Sequence, residues 1–216
     1  MRYSESEKIK YINDLYGYES GPLRAIRESA PKDKAHIQVS PFEGAILKFF
    51  TQFIQAKLIL EIGTFVGYSA AYMVEGLAKG GKILSVEKNI QFFNIAQENA
   101  IKHNLREKIE LFNTDALTFL RTRKGSEQAD IIFIDGNKSE YYEYLSESVD
   151  ILRAGGLVIA DNTLLFDSVY KERPQDKQGS LMWESMQKFN RKVADSQLFQ
   201  TIMLPTDSGL TVAIKK

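Results

Sequence analysis

The sequence contains no cysteine, which excludes disulfides, thiolate metal sites and a cysteine nucleophile. It also has no net charge, because 28 basic residues balance 28 acidic ones, and no long basic run offers a local surface for nucleic acid. The longest apolar runs, such as residues 157–160, are far too short to cross a bilayer. The polar start, MRYSESEKIKYINDLYG, has no signal-peptide pattern. We therefore expect a cytoplasmic protein with neither a membrane nor a nucleic-acid partner.

A regular alternation of short apolar runs and helical patterns begins near residue 57. Strands that are apolar throughout and separated by helices are typical of a doubly wound, mostly parallel α/β sheet. Two closing strands, within 198–205 and 210–216, have no helix between them and are predicted to pair antiparallel. We expect one domain, with an N-terminal helical extension at 1–56 and a sheet domain at 57–216. The earlier strands are predicted at 58–63, 82–88, 109–114, 130–135 and 157–161.

Local signals place several helices. Ser40, directly before Pro41, predicts the first turn of a helix. The apolar spacing after Tyr141 predicts a helix that includes Leu152. A final helix is predicted around Trp183 to Val193, ahead of the two closing strands.

The first predicted strand leads into a turn with two glycines, Gly63 and Gly67, before a helix begins near Ser69. Glycines permit a tight turn, and the first N–H groups of the helix can bind an anionic or nucleotide-like ligand. An ordinary strand-to-helix turn is the alternative. Glu87 ends the second strand, a position suited to binding ribose hydroxyls. Asp115-Ala116 could hold an adenine amino group, cap a helix, or do both.

Hard oxygen donors follow the fourth and fifth predicted strands. Asp135 ends the fourth strand, Lys138 lies three residues later, and Asp161-Asn162 ends the fifth. If the two strands are neighbours, the three donors converge at one rim of the sheet. That arrangement suits Mg²⁺, which prefers oxygen ligands in octahedral geometry. Lys138 could instead be a solvated lysine early in a helix.

Six ordered motifs carry a resemblance to a known family. EIGTFVGYS, ILSVEKN, TDA, FIDGNK, GGLVIADN and LPTDSGL resemble the catechol and caffeoyl-CoA O-methyltransferases and their bacterial relatives, from about Ile37 to the C-terminus. The resemblance implies a seven-stranded, Rossmann-like class I methyltransferase sheet with the last strand antiparallel. It also implies methyl transfer from S-adenosylmethionine to one hydroxyl of a catechol-like, phenolic small molecule. The implied metal is Mg²⁺ or another hard divalent cation such as Mn²⁺ or Ca²⁺.

The resemblance further implies roles for individual residues. Lys138 would be the general base, and Asp135, Asp161 and Asn162 would be the metal ligands. Three protein donors leave about three positions on an octahedral Mg²⁺, enough for two adjacent phenolic oxygens and one water. The residues implied at the cofactor are Val39, Glu61, Gly63, Ser69, Glu87, Asp115, Ala116 and Asp135.

The chain departs from the family pattern at several positions. Gly136-Asn137 stands where relatives often have a second acid, and Ile37 where they often have Met. Thr114 and Ser208 alter two further common motifs. None of these changes removes a metal ligand or the base, but together they leave the acceptor open. Candidates for an apolar pocket wall are Leu164, Leu165, Phe166 and Trp183, with core packing as the alternative for Trp183.

Two other functions stay open at this point. One is methylation of a hydroxylated base in RNA, against which the zero net charge weighs. The other is a non-catalytic S-adenosylmethionine-binding module, against which the intact set around Lys138 argues. A homodimer is expected, largely by resemblance, because apolar residues of the predicted N-terminal helix need a surface to bury. These residues are Ile9, Tyr11, Ile12 and Leu15.

Overall fold

The computed structural model describes residues 7–16 and 18–216, without the side chains of residues 8 and 9. The predicted contribution of Ile9 to a dimer surface therefore lies outside the described residues. The chain divides into two compact units, one ending at Thr114 and the other beginning at Asp115. The predicted partition into 1–56 and 57–216 is a different one and stays a prediction.

Unit 1 is built on three parallel strands. Strand β2 lies between β1 and β3, and Leu84 of β2 is opposite both Leu60 and Glu110. Every residue of β1 is buried, as expected for a strand covered on both faces. The elements are α1 (Glu7–Tyr16), α2 (Gly21–Glu28), a 3₁₀ turn (Ala35–Ile37), α3 (Pro41–Phe53), β1 (Leu58–Ile62), α4 (Tyr68–Gly76), β2 (Lys82–Val86), α5 (Ile90–Lys102) and β3 (Ile109–Phe112).

The predicted start of α3 is confirmed, and a reciprocal pair of hydrogen bonds explains it. The Ser40 hydroxyl accepts the backbone N–H of Glu43 at 3.2 Å, and the Glu43 carboxylate accepts the N–H of Ser40 at 2.7 Å. Two N–H groups that the helix itself cannot satisfy thereby gain partners. An N-cap of this kind stabilises a helix by about 1 kcal/mol.

Unit 2 combines one parallel and two antiparallel strand pairs. Strands β4 and β5 are parallel, whereas β7 pairs antiparallel with both β5 and β6. The predicted antiparallel closing pair is thus confirmed. The elements are α6 (Ala116–Thr122), β4 (Ala129–Ile134), a 3₁₀ turn (Lys138–Glu140), α7 (Tyr141–Ser148), β5 (Leu152–Ala160), α8 (Lys177–Val193), β6 (Phe199–Leu204) and β7 (Leu210–Lys215).

Two predicted boundaries in unit 2 were wrong. Helix α7 ends at Ser148, and Leu152 is the first residue of β5, where it pairs with Ala129. The apolar spacing that suggested a longer helix instead supplies buried positions for the sheet. Helix α8 begins before Trp183, because the Asp176 side chain caps it by accepting the N–H of Gly179 at 2.7 Å.

Taken along the whole chain, the seven strands follow the order β3-β2-β1-β4-β5-β7-β6 in one sheet. This confirms the predicted doubly wound, mostly parallel α/β sheet with an antiparallel end and N-terminal helices. The sheet interior is aliphatic, with side chains such as Ile59, Ile132 and Ile159 fully buried. Each such burial stabilises the fold by about 1.5–3 kcal/mol. Within the described residues, no helix combines the length and apolarity needed to span a membrane.

Candidate functional site

The glycine-containing turn of unit 1 connects β1 to α4. Gly63 and Gly67 have φ values of 98° and 86°, in the left-handed region that glycine tolerates best. The N–H of Gly63 donates to the carbonyl of Val86 at 3.0 Å, which ties the turn to the end of β2. Phe65, between the glycines, has a φ of 51°, a conformation that costs a non-glycine residue about 1–2 kcal/mol.

The Glu87 carboxylate holds this strained turn in place. One of its oxygens accepts the N–H of Phe65 at 2.9 Å, and the other accepts the N–H of Asn89 at 2.8 Å. Burial raises the pKa of Glu87, while the backbone N–H groups of Asn89, Phe65 and Lys88 partly oppose that rise. Each carboxylate oxygen has two lone pairs, so further hydroxyl donors can be accepted at this strand end.

Two other predicted cofactor residues, Glu61 and Ser69, contact each other directly. The Ser69 hydroxyl donates to one Glu61 oxygen at 2.6 Å, and the Ser85 hydroxyl donates to the other. Glu61 has no exposed surface, and Ser69 is buried as well. Glu61 therefore orients Ser69 at the start of α4. Val39 is also buried, in the segment between the 3₁₀ turn and α3.

The start of α4 is anchored by residues that the sequence analysis missed. The Arg27 guanidinium donates to both Glu19 oxygens, at 2.7 and 2.9 Å, and the Tyr68 hydroxyl donates to the same carboxylate. Burial alone would raise the pKa of Glu19, but hydrogen bonds from Arg27 and Tyr68, with the charges of Arg27 and Arg24, lower it overall. No local sequence pattern links Glu19 to Tyr68, which lies 49 residues away.

In unit 2, Asp115 caps a helix, as one of its two interpretations predicted. Its side chain accepts the N–H of Thr118 at 3.0 Å at the start of α6. Ala116 is the first residue of that helix and is buried. A role for both residues in holding adenine stays a prediction.

The ends of β4 and β5 bring two predicted metal ligands together. Ile134 lies opposite Ala160 in the parallel ladder, and the next residue of each strand is an aspartate. The N–H of Asp161 donates to the Ile134 carbonyl at 3.0 Å, which continues the pairing beyond the strands. Asp135 and Asp161 are thus neighbours at one edge. Asp161 has no exposed surface.

Asn162 is oriented by the C-terminal part of the unit. Its side-chain nitrogen donates to the Ser208 hydroxyl at 2.6 Å, and its N–H donates to the Asp161 carboxylate at 2.7 Å. With the amide nitrogen engaged, its oxygen is the atom that suits a cation. Asp135, Asp161 and Asn162 offer hard oxygen donors, the chemistry Mg²⁺ prefers. Among the described residues, no cluster of three or more His, Cys, Asp or Glu competes for a metal.

Lys138 is not a solvated lysine. Its ammonium nitrogen lies 2.7 Å from an Asp135 oxygen and 2.8 Å from the Tyr141 hydroxyl. The side chains of Lys138 and Asp135 are only 13% and 15% exposed. The structure therefore brings the candidate base and two candidate metal ligands into one hydrogen-bonded group. The Tyr141 hydroxyl also belongs to this group, although the sequence pattern predicted only that Tyr141 lies in a helix.

The segment after Asn162 contains the candidate pocket wall. Leu165, Phe166 and Asp167 have consecutive left-handed φ values of 48°, 53° and 59°. Such conformations cost energy and tend to occur at functional sites. Leu165 is buried, and the buried indole nitrogen of Trp183 has no partner among the described residues. Contact of these side chains with an acceptor stays a prediction.

Comparison with known proteins agrees with this arrangement. A family model for O-methyltransferases matches residues 15–216. A catechol O-methyltransferase from Niastella koreensis is 33% identical over 211 residues, covering 95% of each chain. Caffeoyl-CoA O-methyltransferase 2 from Petunia hybrida is 31% identical, covering 94% of this chain and 88% of its own. The structure of an O-methyltransferase from Bacillus cereus in complex with SAH has a TM-score of 0.87 and 25% identity, with all of both chains covered. The chain belongs to the O-methyltransferase family that its motifs indicated.

Proposed function

We propose that this O-methyltransferase moves the methyl group of S-adenosylmethionine to one hydroxyl of a catechol-like small molecule, with Mg²⁺ assistance and Lys138 as the base. The observation that carries the proposal is the 2.7 Å contact between Lys138 and Asp135, at the strand edge where Asp161 follows β5. The catechol O-methyltransferase from Niastella koreensis, 33% identical, supports this acceptor class.

Unit 1 supplies the groups expected at S-adenosylmethionine. The Bacillus cereus relative holds SAH, the form of this cofactor that has lost its methyl group. Glu87 would accept the ribose hydroxyls in addition to its two backbone N–H groups. The first-turn N–H groups of α4, which have no partners within the helix, would bind the methionine carboxylate. Ser69 would assist there, held by Glu61.

Unit 2 supplies the groups expected at the acceptor. Asp135, Asp161 and the Asn162 oxygen would hold Mg²⁺, which lowers the pKa of an acceptor hydroxyl and favours two adjacent oxygens. Lys138 would accept the hydroxyl proton. The acceptor oxygen then bonds to the methyl carbon as the carbon–sulfur bond breaks, and sulfur keeps the electron pair. Positioning and electrostatics would supply most of the acceleration, and no covalent enzyme intermediate is needed.

The test is methylation of catechol with Mg²⁺ or with a chelator, for the native protein and three variants. Lys138→Met should lower turnover by about 10²–10⁴ while the affinity for S-adenosylmethionine stays near native. Asp161→Ala should lose acceptor affinity as well as rate, because it removes a metal ligand. Lys79→Met, which changes an exposed lysine, is the matched control and should retain native turnover.

Each component of the proposal can fail separately. Near-native turnover of Lys138→Met at neutral pH would remove Lys138 from the mechanism. Full turnover in chelator would remove the metal. Calorimetric titration should show cofactor binding without metal, because the Glu87 contacts do not involve the Asp161 group. Methylation of an RNA rather than any vicinal diol in an acceptor panel would replace the acceptor class.

A further inference from the structure

Tyr141 is the first residue of α7 and has no exposed surface. Its ring packs edge-on against Phe189 of α8, with centroids 5.6 Å apart and planes at 68°. The ring is therefore held by packing, independently of its hydroxyl. A rigid aromatic ring places its hydroxyl at one defined point, which a flexible side chain cannot do.

The Tyr141 hydroxyl connects Lys138 to the backbone of the two strand ends. It lies 2.9 Å from the Asp161 carbonyl and 3.3 Å from the Ile134 carbonyl, and it accepts a hydrogen bond from Lys138 at 2.8 Å. A phenol has one proton to donate, and both carbonyls can only accept. The proton therefore goes to the backbone, and toward Lys138 the hydroxyl acts as an acceptor.

Two contacts thus fix the nitrogen of Lys138. Asp135 and Tyr141 accept from it at 2.7 and 2.8 Å. The Lys138 nitrogen is tetrahedral. Its bond to carbon and its contacts with Asp135 and Tyr141 occupy three of its four directions. One contact alone would let the long lysine side chain rotate about that hydrogen bond. Two contacts define where the fourth direction points.

We propose that Tyr141 is a positioning residue for methyl transfer. Its hydroxyl holds the Lys138 nitrogen so that the fourth direction of that nitrogen points to the acceptor hydroxyl. The inference rests on the proposed function, in which Lys138 receives the proton. Its physical basis is that proton transfer requires donor and acceptor within hydrogen-bond reach and aligned. Small misplacements of a reacting group can reduce a rate by about 100-fold.

The decisive comparison uses two buried tyrosines of the same helix. Tyr141→Phe removes the hydroxyl and keeps the ring. Tyr144→Phe is the matched control, because the Tyr144 side chain is also buried and its hydroxyl donates to Glu140 at 2.5 Å. Tyr141→Phe should lower kcat by about 10-fold to 100-fold with acceptor KM changed less than about 3-fold. Tyr144→Phe should leave both within about 3-fold of native.

A double-mutant cycle with Lys138→Met distinguishes positioning from a general structural effect. If Tyr141 acts through Lys138, then adding Tyr141→Phe to Lys138→Met should lower turnover by less than about 2-fold further. An equal loss in both backgrounds would overturn the inference, as would a Tyr141→Phe variant as fast as Tyr144→Phe. In those cases a slow Lys138→Met would leave the proposed function intact. A fast Lys138→Met would instead remove Lys138 from the proposed mechanism, and with it the inference about Tyr141.

Cofactor affinity and the unfolding temperature of each variant report whether the fold persists. If Tyr141→Phe loses both, Tyr141→4-aminophenylalanine provides a second route. Its amino group still donates to the Asp161 carbonyl but is a poor acceptor for a hydrogen bond from the Lys138 nitrogen. The variant should then regain cofactor affinity while its turnover stays at least about 10-fold below native. Recovery of native turnover along with cofactor affinity would overturn the inference.

Discussion

Glu87 has two roles in the proposed cofactor site, and substitution can separate them. Its carboxylate accepts the N–H groups of Phe65 and Asn89 at 2.9 and 2.8 Å, and in the proposed complex it also accepts ribose hydroxyls. A hydrogen bond to a charged group contributes about 1.5–3 kcal/mol. Glu87→Ala should therefore weaken S-adenosylmethionine binding by about 10-fold to 150-fold.

The same substitution should lower the free energy of unfolding without cofactor. It leaves the N–H groups of Phe65 and Asn89 without the carboxylate. Asn89 is exposed, so water can replace its partner, whereas Phe65 is half-buried, and an unsatisfied buried donor costs up to about 3 kcal/mol. Glu87→Gln keeps the side-chain shape and one oxygen, so it should lose less stability than Glu87→Ala. Because glutamine is uncharged, its affinity for the cofactor should still fall below native.

The assays are calorimetric titration with S-adenosylmethionine and urea unfolding, each across a range of pH. Because burial raises the pKa of Glu87, acidification should protonate it and weaken native cofactor binding at a higher pH than for an exposed glutamate. Glu87→Gln should lack this step. For stability the sign is opposite, because the folded pKa of Glu87 is the higher one. The part of its contribution that depends on protonation is present below its unfolded pKa and is lost as the pH rises through the folded value, whereas the ionised carboxylate keeps its two N–H hydrogen bonds. An unchanged dissociation constant in Glu87→Ala would refute the ribose assignment.

Three further predictions concern other contacts. Ser208→Ala frees the Asn162 amide and should weaken Mn²⁺ binding by about 10-fold, the lower end of the range for a residue that supports a metal ligand. Electron paramagnetic resonance measures this affinity, and a native value would contradict the prediction. Burial is outweighed by hydrogen bonds from Arg27 and Tyr68, which lower the pKa of Glu19, so its contribution to stability is present above its unfolded pKa and is lost as the pH falls through the lower folded value. Glu19→Gln should be less stable at neutral pH and change less in acid, as urea unfolding would report. The proposed homodimer should shift toward monomer in light scattering when the exposed Tyr11 and Leu15 are both changed to serine, and a native monomer at micromolar concentration would end that idea.

The sheet could be predicted because its strands have to be apolar along their whole length. All five residues of β1 are buried, and the sequence LILEI shows that requirement directly, apart from Glu61. The start of α3 was predictable because a side chain, Ser40, determines it locally. The boundary at Leu152 was not, because its spacing suits a helix and only its pairing with Ala129 places it in β5.

In the candidate site, the positions of the residues at the strand ends could be predicted from the sequence, but their hydrogen-bond partners could not. Asp135 and Asp161 were predictable as neighbours, because parallel strands end at a common edge. The partners of these residues were not. Tyr141 belonged to an apolar helical pattern, although its position three residues after Lys138 was a clue that both lie on one face. Ser208 was only a departure from the family pattern until the structure placed it 2.6 Å from Asn162.

The proposed metal site gives a charge argument for an amide, rather than a third carboxylate, after Asp161. Asn162 has a φ of 57°, which asparagine tolerates better than most residues, and its amide offers both a donor for Ser208 and an oxygen for a cation. In the proposed mechanism Lys138 is the group that receives the proton, and the charges of Asp135 and Asp161 would balance those of the proposed divalent cation. Moving a proton from the acceptor to Lys138 then creates one positive and one negative charge and preserves the balance. A third carboxylate would leave excess negative charge beside an acceptor that has to become anionic, and like charges oppose that ionisation.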